Sequence, residues 1–419
     1  MEIRIDQLIK AIATALDIVE GELLGASTHH GKRIAVLAAA MGIDLGLNKD
    51  HLSAMTTCAL FHDNALTEHI LAEQEGDRPS MYLHCERGQS NVEMLPFKVD
   101  VSGYILYHHE CADGNGVFGK KEGEYPLEAE LIAISDMIDI DHHLQRLSFD
   151  TLPNLRSLIA DDAGKRFTKR AARALLSILD ENMLFLLRDD RIAETAEQVI
   201  PTFILDLKVN EIIGIAEIIA RIIDYKSRFT RRHTSQIANR AWLMGGYYGY
   251  DDALRVQLYL AAALHDLGKL ATPTHILEKP GKLDQEEFAI IKEHVRHTYE
   301  LLKDIDGFEQ IRDWASNHHE KLDGTGYPFG KGADALDFNS RMMACIDIYQ
   351  AVSESRPYHE QRGHPETMVI LYDMAQKGFI DGTIVKDLDV VMAPYSNRDI
   401  PLLLVPVVPN VLAHSHVSN

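Results

Sequence analysis

No run of about 18 consecutive apolar residues occurs in this chain, so it offers no membrane-spanning helix. Cysteine is scarce. Cys58, Cys85, Cys111 and Cys345 are the four among 419 residues, and no two stand as C-x-x-C, which excludes a disulfide framework and a cysteine zinc site. The opening residues, Met1-Glu2-Ile3-Arg4-Ile5-Asp6, lack a signal peptide's apolar core. Positive charge is short too: 42 Lys+Arg against 63 Asp+Glu give a formal −21. A surface that wraps a polyanion is thereby excluded, although a local cationic site for a small anion is not. Strand-like alternation is also rare. What remains is a globular chain, 46% apolar and 25% charged, with length for two domains. It is expected in the reducing cytoplasm, without membrane or polymeric nucleic-acid partners. Histidine is what the chain has in excess, with 21.

Helical apolar spacing dominates. Over 209–225, Ile212, Ile213, Ala216, Ile219, Ala220 and Ile223 recur at helical intervals. Over 284–302, Asp284 and Glu287 form a capping box. The chemistry-bearing residues then repeat. His30, His62 and Asp63 recur 203 residues later as His233, His265 and Asp266. His84, His108, His109, Glu110, Asp113, Gly114 and Gly116 recur 210 later as His294, His318, His319, Glu320, Asp323, Gly324 and Gly326, and Asp136 recurs 211 later as Asp347. Two copies of one helical unit are implied: an all-α chain of tandem bundles, 1–145 and 205–395. A linker, 146–204, has a helical stretch near 168–188, and 396–419 forms an extended tail with Pro401, Pro406 and Pro409.

In the second copy, His233, His265, Asp266, His294, His318, His319 and Asp347 come from five segments that can converge in a bundle core. Seven donors exceed one tetrahedral ion and suit two. An Asp beside a His can bridge them. Imidazole and carboxylate without thiolate favour iron or manganese, with nickel, cobalt or zinc as alternatives. Two ions ~3.5–4 Å apart can share a water, lower its pKa and aim it at phosphorus. Lys269, about one helical turn past His265, can offset charge on a phosphoryl oxygen. His29, His69, His142, His143 and His275 read as structural or surface residues.

The second copy resembles the HD-GYP family of the HD phosphohydrolase superfamily over about 229–385. The resemblance rests on His265-Asp266-Leu267-Gly268-Lys269, Leu277-Glu278-Lys279-Pro280-Gly281-Lys282-Leu283, His318-His319-Glu320 through Gly326-Tyr327-Pro328, Asp347 and Arg356-Pro357-Tyr358. It implies a metal-dependent phosphodiesterase that linearises a cyclic dinucleotide, c-di-GMP or the hybrid 3′,3′-cyclic GMP–AMP. It further implies one ion on His233, His265, Asp266 and Asp347, and another on Asp266, His294, His318 and His319. Arg356, Tyr327 and His359 are the implied substrate contacts. Three departures stand out. Phe229 occupies a position where some members carry a third-metal Glu, so two ions are expected; His359 replaces a usual Lys; and Gln350 replaces the second Asp of D-x-x-D-A.

The first copy resembles the family more loosely. It keeps His30, His62, Asp63, His84, His108, His109 and Asp136, a further metal set. Leu66 replaces the lysine, Gly116-Val117-Phe118 replaces Gly-Tyr-Pro, and no Arg-Pro-Tyr follows. A second phosphatase or 5′-nucleotidase site is one expectation. A regulatory copy kept for packing or homodimer formation is the other. For the whole chain, the competing readings are another HD-type nucleotidase and a non-enzymatic, metal-stabilised scaffold.

Overall fold

The computed structural model describes residues 2–66, 81–201, 205–227, 233–354, 362–395 and 400. These residues are helical apart from loops and one two-residue ladder, in which Glu2–Ile3 pairs antiparallel with Leu205–Asp206. The ladder joins the starts of the two copies. The helix Ile5–Leu24 follows one strand and Val209–Asp224 follows the other.

Equivalent helices then appear in equivalent order. His30–Asp44 answers His233–Tyr247, and each begins on the first histidine of its set. Lys49–Leu60 answers Asp252–Leu264, Met81–Val92 answers Gln285–Leu302, and Leu127–His142 answers Phe338–Ser353. The capping box expected at Asp284 and Glu287 is present, its two bonds both 2.9 Å. Apolar faces meet in one continuous core that includes Ile34, Leu37, Ile132, Ile237, Leu264 and Ile346.

The segment 146–204 carries more structure than one helical stretch. Leu152–Asp161, Lys169–Ile178, Glu181–Leu186 and Ile192–Val199 are four helices. Leu155, Ile159, Leu175, Leu184 and Ile192 bury into the first copy's core, and Thr168 Oγ1 donates to Glu130 at 2.8 Å. The first two of these helices match His364–Gln376 and Gly382–Met392 after the second copy. In both copies the loop between such a pair accepts a backbone bond from the His-His-Glu loop, Asp113 N to Lys165 O and Leu322 N to Phe379 O, each 2.9 Å. The helices of 146–204 thus pack on the first copy as their counterparts pack on the second. Of 396–419, Ile400 alone is described; it is buried and exchanges two hydrogen bonds with Gln236, 3.1 and 3.2 Å. The rest of that expected tail lies outside the described residues.

Ile5–Leu24 belongs to the first copy by sequence but also packs on the second, against 267–271 and Gln285–Leu302. Arg4 and Gln7 bond to Asp306 at its start, and Glu22 reaches Lys226 and Thr274 near its end. No helix among the described residues is long and apolar enough to cross a membrane.

Candidate metal centres

Each His-Asp pair stands where a helix stops. Asp251 caps Asp252–Leu264, accepting from Leu254 N at 2.9 Å, and the helix ends at Leu264, so His265 and Asp266 project from its unwinding end. Asn48 caps Lys49–Leu60 in the same way, accepting from His51 N at 3.0 Å. The helix does not run on to Lys269, as the spacing suggested: Leu267–Ala271 is a 3₁₀ turn. That turn brings Lys269 Nζ to Asp266 Oδ2 at 2.5 Å. A Cβ at Gly268 would stand 1.9 Å from the carbonyl oxygen of His294, so glycine lets the turn lie on Gln285–Leu302 and bring His294 to Asp266. In the first copy the small residue has changed sides: Ala65 is in register with Gly268, and Gly88 with Thr298.

The His-His-Glu loops share one device. The Glu320 carboxylate accepts backbone N–H bonds from Phe329, Gly330 and Lys331 at 2.7, 3.1 and 3.0 Å, which folds the following loop back on the histidines. Glu110 does the same for Phe118 and Lys120. A Cβ at Gly326 or Gly116 would lie 2.5 Å from that glutamate's Cα. The pattern H-H-E-x-x-D-G-x-G thus encodes two inward imidazoles and a clamp. Tyr327 stacks obliquely on His319, centroids 4.8 Å apart.

All seven residues of each set converge. In the second copy the donor atoms of His233, His265 and Asp347 lie within 4.8 Å of one another, as do those of His294, His318 and His319. Asp266 stands between the groups. Its Oδ2 is 3.1 Å from His265 Nε2 and 3.9 Å from His233 Nε2, while Oδ1 is 3.2 Å from His294 Nε2. Asp63 divides its oxygens likewise, Oδ1 at 3.0 Å from His84 Nε2 and Oδ2 at 3.7 Å from His62 Nε2. His108 and His109 join Asp63 and His84, and His30 Nε2 is 3.2 Å from Asp136 Oδ1.

These donors fit divalent ions. Nδ1 of His62, His265 and His318 faces a carbonyl three residues back, at 3.0, 2.7 and 2.7 Å, which fixes Nε2 as the lone-pair nitrogen. Nε2 of His62, His84, His108, His265, His294 and His318 has no hydrogen-bond partner among the described residues. Buried polar atoms rarely stay orphaned. Two ~2.1 Å metal bonds at a right angle would put donors about 3 Å apart, the spacing seen at Asp266 and Asp63.

Electrostatics agree. Burial opposes ionisation of Asp266, but His265, Lys269 and His294 hold its carboxyl well below the usual range. For Asp136, burial is outweighed by His30 and His62, which bring it down to about 2. Burial pushes His319 and His109 down to about 3, leaving neutral donors at pH 7. His233 is the exception: Glu354 and Asp347 outweigh its burial and move it up to about 9, so an ion bound there would displace a proton.

Sequence reading missed the residues that orient the first histidine of each set. His30 Nδ1 meets Asp139 Oδ2 at 2.6 Å, and Asp139 is held by the fully buried Arg33 at 2.9 Å. Asp139 is the second Asp of an intact D-x-x-D, a signal the repeat offered. The second copy has Gln350 there, and its amide instead holds Glu354, which meets His233 Nδ1 at 2.8 Å.

A cavity of about 570 Å³ lies over the second centre. His233, Asp266, His294, His319 and Asp347 line it together with Lys226, Lys269, Lys282 and Tyr327, and with apolar Ile276, Leu277, Leu283, Phe288 and Ile291. Arg356 and His359, expected at the substrate, lie outside the described residues, as does Phe229.

An HD domain family model matches residues 217–384, the span that holds all seven donors of the second copy. The second copy therefore carries an HD domain. Along 398 residues it is 27% identical to 3′3′-cGAMP-specific phosphodiesterase 1 of Vibrio cholerae, covering 91% of this chain and 90% of that one. It is 30% identical over 281 residues to the same organism's 3′3′-cGAMP-specific phosphodiesterase 3, spanning 65% of this chain and 59% of the relative. The cyclic di-GMP phosphodiesterase response regulator RpfG of Xanthomonas campestris is 35% identical over 162 residues, 38% of this chain and 42% of the relative. The crystal structure of the cyclic GMP-AMP-specific phosphodiesterase V-cGAP3 of V. cholerae shares the fold, with a TM-score of 0.62 at 20% identity, over 94% of this chain and 98% of that one.

Proposed function

We propose that the second copy opens a cyclic dinucleotide, the hybrid 3′,3′-cyclic GMP–AMP or c-di-GMP, to the 5′-phosphorylated linear dinucleotide. The observation that carries this reading is the cavity over the His/Asp centre. Its volume is within the ~300–1,000 Å³ of small-molecule sites, and its lining joins lysines for phosphates to apolar and aromatic surface for bases. The relative matched along nine-tenths of the chain is named for the hybrid ring, which favours that substrate.

In hydrolysis, the water oxygen joins phosphorus, the P–O3′ bond breaks, and O3′ leaves with a proton. Divalent ions, iron or manganese by donor type, would supply a lowered water pKa and offset phosphoryl charge when bound by the seven donors. The chain's own residues do the rest. Asp266 offers one oxygen to each histidine group. Lys269 sits on the cavity side of Asp266, where its ammonium can meet a phosphoryl oxygen. Tyr327, backed by His319 and with Lys292 Nζ 5.5 Å from its ring centroid, offers a stacking face. Glu320 keeps that loop in place. Arg356 and His359 are proposed further contacts to the ring.

The first copy keeps a complete donor set without the lysine or the Tyr-Pro loop. We read it as a second phosphatase centre, of 5′-nucleotidase type, or as a regulatory copy. The deciding test is chromatography of products after incubating Mn²⁺- or Fe²⁺-loaded protein with c-di-GMP, c-di-AMP and the hybrid ring. Linear 5′-phosphorylated product from the hybrid or c-di-GMP supports the proposal. No turnover of any ring, with turnover of simple nucleotides, would replace it with the nucleotidase reading.

A further inference from the structure

The two centres are not equivalent, and the difference comes from the helix Ile5–Leu24. Asp17 on that helix accepts the backbone N–H of Gly31, just after His30, at 2.7 Å. Asp224 does the same for Thr234, just after His233, at 3.1 Å. The two aspartates therefore define a common register. One turn past Asp17, the first copy has Glu20; three residues past Asp224, the second has Ser227, which lines the cavity.

Glu20 is 3% exposed, and its Oε2 has no hydrogen-bond partner among the described residues. A carboxylate oxygen of Glu20 and a ring nitrogen each of His30 and His62 lie within 4.8 Å of one another. Ten residues and a helix end separate Glu20 from His30, so no loop motif announces it. A separate ion shared by Glu20, His30 and His62 does not work. Each imidazole has one free lone pair, and those of His30 and His62 already face Asp136, at 3.2 and 3.8 Å. Glu20 must share the same ion.

We propose that Glu20 is an additional metal ligand of the first copy, on the ion held by His30, His62, Asp63 and Asp136. That ion has five protein donors where its counterpart in the second copy has four. It also has three carboxylates and no lysine, against two carboxylates and Lys269. With six-coordinate preference, one position stays open rather than two. The ion is held more tightly, and the centre accepts a single terminal oxygen donor rather than a water and a ring phosphate together. The inference rests on metal binding at the first copy, not on the identity of the ring opened by the second.

The test uses the full chain carrying His265→Ala and Asp266→Ala, which leaves the first centre alone. Mn²⁺ affinity is measured by chelator competition, and Co²⁺ loading is followed by visible absorption, which reports coordination number. Adding Glu20→Gln, similar in size and uncharged, should weaken one ion at least ~10-fold and raise the Co²⁺ absorption as a donor is lost. A melting curve in chelator checks that the Gln variant folds. Unchanged affinity and spectrum would overturn the role of Glu20 while leaving first-copy metal binding standing. Absence of any tightly bound ion before Glu20 is changed would overturn both, without touching ring opening by the second copy.

Discussion

Glu22 of the first copy meets Lys226, a lysine that lines the second copy's cavity, at 2.6 Å. The lysine side chain is 2% exposed and the glutamate 29%. Glu22 also accepts the backbone N–H of Thr274 at 2.7 Å. The first copy thus anchors a lysine of the second copy's pocket wall. Glu22→Gln leaves a buried ammonium with a weaker partner, and should destabilise the chain by ~1–3 kcal/mol, read by denaturant unfolding. It should also raise KM for the ring more than it lowers kcat. A variant with wild-type stability and KM would make this contact incidental.

Asp266→Asn should abolish hydrolysis and cut metal content at both positions of the second copy, because one residue faces both histidine groups. Metal analysis and circular dichroism check the two halves of that statement. Helical signal should persist, since Asp266 follows a helix end rather than sitting within one. Full metal content with activity lost would confine Asp266 to catalysis alone.

Lys269→Ala should lower kcat by about 10²-fold, the size of one lost transition-state contact, with metal content unchanged. The remaining neighbours of Asp266, His265 and His294, still favour its ionised form. Loss of metal along with activity would make the lysine a positioning residue for Asp266.

Glu354→Gln should lower metal affinity in the second copy by ~10–100-fold, because His233 would lose the carboxylate that orients its ring. Asp139→Asn should do the same in the first copy through His30. The two effects are separable by metal titration, each in a chain whose other centre has been removed. No change in either titration would show that the histidines are oriented by packing.

What sequence could and could not supply follows from these residues. Donors in a duplicated unit recur at nearly constant intervals, so both sets of seven could be found by spacing, and the structure brings each set together. The all-α class followed from the same apolar periods. The direction of Lys269 could not be read, because it depends on where one helix breaks into a 3₁₀ turn. Glu354 and Asp139 meet histidines more than 100 residues away, and nothing local marks such a pairing. Glu20 faces His30 and His62 of the first copy while Glu22, on the same helix, reaches Lys226 of the second, a fact of packing. Over 152–199, short helices with weak breaks, such as Leu179-Asp180, blurred into one stretch.

The first copy's chemistry can be isolated from the second's. Its donor set is complete, but Leu66 stands where Lys269 does, and Val117 where Tyr327 does. A centre without the lysine or the stacking tyrosine suits a terminal phosphate, such as the 5′-phosphate of a linearised dinucleotide, better than a ring. His62→Ala with Asp63→Ala should therefore leave ring opening largely intact, within the modest loss expected from the shared helix Ile5–Leu24. If this centre trims the product, the linear phosphorylated dinucleotide should accumulate in that variant and release of inorganic phosphate should stop. Both are read in one assay, by chromatography and phosphate detection on the same sample. Phosphate release that persists there, and vanishes when His265 and Asp266 are replaced and linear dinucleotide is supplied, would assign both steps to the second centre. The first copy would then be left as a metal-stabilised partner whose helix anchors Lys226 of its neighbour's pocket.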